Sequence, residues 1–373
     1  MPKPRQAKIS TPQAPAFVAP YPPSWFDRYS NWIDRRVKRP WILHLGLAVF
    51  LALVVTGSQW AVGGLPLGRF DKFHLALAAA GPLFLEGMRY LKGHAVDALE
   101  WFRPALRKPV PYDSLRYLLT TMPARGAFAA GFITMLVILF IGAAVTALFP
   151  SSVPSPGPAS TWLFTVLDAL HFSRQPMSAV VAVVLAFLAW WTLGALIYQI
   201  LRQLRTIDQI YRQHTDVNLF QSDRMHAFSS HTSRVGITII LMGNLNFVTP
   251  EFRGNLGIIV VAEALSLLGV ASFVRPLAGI HRLLVLEKER LLGENSARIQ
   301  STVERLHHAL QAKTLSGMDE FEKALSSLER EHAVISRIPT WPWNAGTVRA
   351  VLAAVFLPVF IWLIQYILQR LLG

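Results

Sequence analysis

Apolar stretches of roughly 20 residues, the length that crosses a bilayer core as a helix, recur along this chain between polar connections. Five are clear, at 41–63, 126–149, 178–201, 255–274 and 348–373. Two are weaker. The run at 74–91 contains Pro82 and Glu86, and the run at 234–249 is short and carries Asn244 and Asn246. The pattern predicts an all-α polytopic membrane helix bundle of about seven spans. Helical periodicity also continues past the fourth run. Ile197, Ile200, Leu204, Ile207 and Tyr211 fall on one face, so this helix should extend beyond the bilayer before "HTDVNLFQSD" breaks it.

Between the sixth and seventh runs lies a charged insert, 275–347. Val285, Leu292, Ile299 and Leu306 recur every seven residues, and Val303 and Leu310 fill the alternate positions, with Glu289 and Ser296 interrupting earlier. After "TLSG", Met318, Phe321, Leu325, Leu328, His332 and Ile335 step by threes and fours. Ser316 and Asp319 have capping-box spacing, and Pro339 and Pro342 stop the helix. The expectation is an antiparallel helical hairpin. Its seam of Leu292, Ile299, Val303, Leu306, Phe321, Leu325, Leu328 and His332 would bury against its own return helix, another loop or a partner. Trp341 and Trp343 return the chain to the interface, where an indole keeps its N–H wet.

Composition supports the membrane reading. Hydrophobic residues make up 53% of the 373, and charged residues only 16%. There is no Cys, which excludes disulfides, thiolate metal sites and cysteine nucleophiles. The net charge of +14 is accounted for by basic loops held against anionic lipid, so no nucleic-acid partner is expected. The insert itself mixes ten basic with nine acidic residues, a solvated face beside a narrow apolar seam.

Lys and Arg then orient the bundle. The Pro-rich arm 1–40 has eight basic residues against Asp27 and Asp34, the connection 150–177 has only Arg174, and 202–234 has five Arg. Arm, 202–234 and insert are therefore expected on the cytoplasmic side, with the C-terminus outside, as in a bacterial inner-membrane protein. This orientation requires 74–91 to span. The arm is not expected to be a cleavable signal; within it the stretch "AFVAPYPPSWF" reads as extended or disordered, with Trp25, Phe26 and Trp32 in the headgroup layer.

Candidate chemistry is sparse. Glu263 lies mid-span, where a charge costs about 3 kcal/mol unless protonated, paired or wet. Counting outward from the 250–254 connection puts Thr238 at its level, and Ser266 follows one turn on. Glu86 is placed to pair with Arg89 at i, i+3. With Asn244 and Asn246 these residues form a possible proton or cation site. "LMGNLNFVTPEFRGNLG" resembles the Gly-Met-Asn loop of CorA-type magnesium channels, but its tripeptide, Met242-Gly243-Asn244, is permuted. His226 and His231 are five apart, not the three or four that put two metal ligands on one helix face. His44 and Gln59 are read as span-end residues without a special role. No HExxH, P-loop, dinucleotide loop or Gly-x-Ser-x-Gly is present, and no cofactor is expected. The sequence thus favours a non-enzymatic scaffold or signal-relay component, acting through the 275–338 helices on a second copy or on a membrane or cytoplasmic protein. The alternative is a cation or proton channel or transporter using Glu263 and the Asn244/Asn246 hairpin.

The absence of native Cys makes the topology directly measurable. Ser316→Cys should resist an impermeant maleimide in intact cells and react after lysis; labelling in intact cells would reverse the orientation.

Overall fold

In a lipid interior a backbone satisfies its own N–H and C=O groups or leaves them unpaired at several kcal/mol each, so the apolar runs fold as helices. The computed structural model describes residues 17–107, 112–148, 176–216, 218–221, 224, 226–244, 256–311, 318–343, 346–356, 360 and 367. Among these residues the fold is all-helical, without strands.

The helices are α1 (Trp25–Arg36), α2 (Pro40–Ala61), α3 (Lys72–Phe102), α4 (Tyr112–Thr120), α5 (Ala124–Leu148), α6 (Pro176–Gln213), α7 (Ala227–Asn244), α8 (Leu256–Gln311) and α9 (Met318–Arg337). A last apolar helix, α10, covers Gly346–Phe356. Three helices are long and apolar enough to cross a membrane: α2, the Ala179–Gln213 stretch of α6 and the Ser266–Gln311 stretch of α8. Pro40 opens α2 at a position where its missing N–H costs nothing. Pro82 and Pro276 lie within α3 and α8, and both helices continue through them.

Two cores hold the helices together. One contains Phe84, Met88 and Leu91 of α3, Ala195, Leu196 and Ile200 of α6, and Val235 of α7. Beyond it lies a second core, built from extensions that carry amphipathic stripes: Leu99 and Phe102 of α3, Ile207 and Tyr211 of α6, Phe228 of α7, and Ile280 and Leu284 of α8. The Phe102 and Phe228 rings meet Tyr211 edge-on at 5.5 Å each. α6 continues past residue 201 as the periodicity predicts: of its stripe Ile200, Ile207 and Tyr211 are buried and Leu204 is half-buried, whereas Ile197 is exposed.

The arm differs from expectation. Residues 25–36 form an amphipathic helix, and Phe26 is 3% exposed, inside the first core rather than in a headgroup layer. Trp25 and Trp32 remain exposed. The charged insert also shifts its contact face. Contacts from α8 to α9 run Lys288 to Ser336, Asn295 to Leu328 and Glu331, and Arg298 to Glu331. The fully buried positions of α8 there are Asn295 and Thr302, while Leu292, Ile299, Val303, Leu306, Phe321, Leu325 and Leu328 are half-buried and His332 is exposed. Glu289 and Ser296, which break the heptad pattern, are simply on the solvated face. Beyond α9 the chain stacks back onto α8: Trp341 on His281 at 3.9 Å and Trp343 against Phe273 at 5.8 Å.

Glycine permits the closest helix crossings. A Cβ on Gly194 of α6 would sit 2.6 Å from the Ala130 carbonyl and 2.7 Å from Gly131 Cα of α5, and one on Gly269 of α8 would sit 2.8 Å from the Gly236 carbonyl of α7. Both obstacles are backbone. Gly194→Ala should therefore destabilise by about 1–3 kcal/mol, the usual cost of overpacking. Gly46→Ala, whose Cβ meets nothing within 4 Å, should be neutral. Thermal unfolding in detergent measures both, and equal melting temperatures would mean that α5 and α6 do not cross there.

Candidate functional site

The densest polar cluster lies where α1 meets the start of α2 and the middle of α3, and it starts from a cap. Ser24 is the N-cap of α1. Its hydroxyl donates to Asp27 Oδ2 at 2.7 Å and accepts from the Asp27 N–H at 3.2 Å. The same carboxylate oxygen accepts from the Met122 N–H at 2.8 Å, while the Ser24 N–H donates to the Met122 carbonyl at 2.9 Å. Asp27 is 4% exposed. Its nearest cation is Lys92 of α3, 3.8 Å away, which also donates to Asn31 at 2.8 Å. Burial lowers the Lys92 pKa, while Asp27 and Asp34 work in the opposite direction.

A second chain of contacts runs alongside. Glu86 Oε2 lies 2.7 Å from His44 Nδ1 of α2, and Arg89 grips both Glu86 oxygens, at 2.5 and 3.1 Å. Arg89 also reaches Asp34 of α1 at 3.4 Å, and the Tyr29 hydroxyl lies 3.3 Å from His44 Nε2. A neutral His44 satisfies both neighbours: Nδ1–H donates to Glu86 and Nε2 accepts from Tyr29. Burial, then the Glu86 charge, raises the Tyr29 pKa and keeps it a donor. Between the two chains is a cavity of about 10 Å³ lined by Tyr29, Ser30, His44, Arg89, Lys92 and Gln199. That is the scale of roughly one water, and the buried Ser30 hydroxyl, which has no protein partner, faces a space of that size. A carboxylate, an imidazole and a phenol in line could pass a proton. No substrate fits beside them, and Arg89 holds the carboxylate as an ion. What the cluster does mechanically is fasten the arm to α2 and α3.

The other expected site residues do not join this cluster. Thr238 donates its hydroxyl to the Arg234 carbonyl one turn back, at 2.7 Å. Ser266 is buried. The Gly236–Gly269 approach sets the register of α7 on α8 and brings Thr238 level with Ser266 and Leu267, about one turn from Glu263. Glu263 lies on α8 and Asn244 closes α7, with both side chains outside the described residues, as is Asn246. Among the described residues no group of three or more His, Asp or Glu could hold a metal ion.

Sequence reasoning found the Glu86–Arg89 pair and missed His44 and Asp27. A signal for each existed. Counting outward from the 62–71 connection puts His44 level with Arg89, about one turn from Glu86, and "SWFD" (Ser24 to Asp27) has the same capping-box spacing as Ser316 and Asp319. Comparison of the chain with family models, curated proteins and solved structures finds no match in any of the three.

Asp27→Ala should release the arm. It strands the buried Met122 N–H, at about 1–3 kcal/mol, and removes a cap worth about 1 kcal/mol. Proteolysis at Arg35–Arg39 should accelerate, whereas Asp34→Ala, which breaks a more exposed contact, should change it little. Equal cleavage rates would show that the arm is held by its apolar contacts alone.

Proposed function

We propose that the chain is a non-enzymatic multi-pass protein of a bacterial inner membrane that acts as a scaffold or signal relay. In this reading about seven helices span, the N-terminus is cytoplasmic, the C-terminus is outside, and 275–347 is a cytoplasmic antiparallel hairpin that binds a partner. The partner is a second copy or another membrane or cytoplasmic protein.

The observation that carries this reading is the continuity of α8, 56 residues without a break. At about 1.5 Å per residue such a helix is about 84 Å long, and a bilayer core takes up only about 30 Å of it. Displacement of the span is therefore carried into the hairpin along one continuous helix, which runs on through Pro276. The seam supports a binding role. Phe321, Leu325 and Leu328 are half-buried, and among the described helices α9 packs mainly on α8, so a further helix laid against them would remove more apolar area from water.

Proton or cation transport through Glu263, Ser266, Thr238, Asn244 and Glu86 competes with this reading. It is weakened by two commitments. Glu86 is tied by His44 and Arg89, and the Thr238 hydroxyl is bonded within its own helix.

One reconstitution separates the two. The chain in liposomes should pass no protons or monovalent or divalent cations above empty vesicles. Flux abolished by Glu263→Gln would replace the relay reading with transport. In native membranes, a photo-crosslinker at residue 322 should capture a neighbour, and Leu325→Asp should lose that product while Ser327→Asp, at an exposed position, retains it. Retention in both variants would remove the seam from the interaction.

A further inference from the structure

A cleft of about 320 Å³ opens between α3 and α7, one turn past the end of the 74–91 run. His94, Asp97 and Trp101 line it from α3, and Ser230, His231 and Arg234 from α7. The cluster described above does not use any of them.

The groups facing this cleft are mostly hydrogen-bond donors. Arg234 Nη1 donates to His94 Nδ1 at 2.7 Å. That contact fixes the His94 tautomer and leaves Nε2–H as a donor. The His94 pKa is lowered by burial, then by Arg234, and Asp97 opposes. His231 is 1% exposed and neither ring nitrogen has a partner. Burial, then His94 and Arg234, push its pKa down to about 3, so it is neutral at pH 7 and holds one unused N–H. The first turn of α7, Ala227 to Ser230, adds its partial positive charge. A buried imidazole with no partner is destabilising and calls for an acceptor. Among the described residues lining the cleft the one acid, Asp97, lies 3.7 Å from His94 and is turned to solvent, with its side chain 74% exposed. Arg234 at the centre repels a metal ion, and no metal-binding group of three occurs among the described residues.

We infer that the cleft between α3 and α7 binds a phosphate ester, with Arg234, His231, His94 and Ser230 as its donors. Several donors converging on an open space match a tetrahedral anion with three free oxygens. An exposed Trp101 at the rim and the turn just beyond a span place the cleft at headgroup depth, so a lipid headgroup and a water-soluble phosphate ester share this chemistry.

The test uses the full chain in neutral detergent with three probes: dioctanoyl phosphatidic acid, glycerol 3-phosphate and inorganic phosphate. Binding is followed by calorimetry and native mass spectrometry. Ser230→Glu puts a carboxylate at an exposed position in the cleft without disturbing a buried contact, and should weaken binding at least tenfold. Arg234→Gln and His231→Phe should do the same if they fold; if they do not, Ser230→Glu decides. Arg330→Gln, exposed on α9, should bind as wild type. Selective binding of the lipid identifies a membrane phospholipid as occupant, and equal binding of glycerol 3-phosphate identifies a soluble ester; each supports the site. Equal affinity in wild type and Ser230→Glu, no binding of any probe by wild type, or equally tight binding of dioctanoylglycerol, which lacks the phosphate, would overturn it.

Discussion

A helix leaving a bilayer can end cheaply, because its last carbonyls meet water. In this chain α3, α6 and α8 are longer than a crossing requires. They run to 31, 38 and 56 residues against the roughly 20 that a crossing needs. Each carries its apolar stripe past the membrane side, and Leu99, Phe102, Tyr211, Ile280 and Leu284 close a second core on Phe228. One set of rods therefore serves two cores. An angle set by backbone contact at Gly194 or at Gly236 and Gly269 bears on the outer core as well, since the same continuous helices enter both.

The charges at the border between the cores follow from that arrangement. Glu86 and Arg89 sit on α3 at the end of an apolar run, where an unpaired charge is costly. Their pairing recovers that cost but adds little net stability over apolar residues of similar size. What it adds is selectivity. Asp34 meets Arg89, Asp27 meets Lys92 and Met122, and Tyr29 meets His44. Those polar contacts choose one seat for α1 among the many apolar surfaces that Phe26 and Ile33 could cover. A rotation of α1 by one residue would bury Asp27 without its partners.

The sequence made the rods legible and the fastenings much less so. Hydropathy located α2, α5, α6 and α8, and the period of Ile200, Ile207 and Tyr211 carried α6 out of the membrane, because both signals are local. The Pro-rich stretch before Ser24 hid α1, although "SWFD" marked its start. The heptad reading of the insert found both helices yet set the contact face at Leu292, Ile299 and Leu306, whereas Asn295 and Thr302 are the positions fully covered. A polar residue in a seam is invisible to a pattern that scores only apolar residues. The Arg234–His94 contact joins residues 140 apart, and nothing local in either segment announces it.

Asn295 bears on how the hairpin would work under the relay reading. Its Nδ2 bonds the Leu328 carbonyl at 3.2 Å and Glu331 at 3.1 Å, while its Oδ1 has no partner. A buried amide satisfied on one side fixes register at a cost in stability. The α8–α9 seam is also flanked by half-buried rather than buried apolar residues. Of the packed regions it is therefore the one held least tightly, whereas the two cores and the arm's fastening are closed. A structure with its loosest contact at the far end of its longest rod will rearrange there first when the rod is displaced. A partner that supplied a donor to Asn295 Oδ1 and an apolar face to Leu325 and Leu328 would stabilise one arrangement of the hairpin over the others, and by linkage it would bias the position of the span in the same measure.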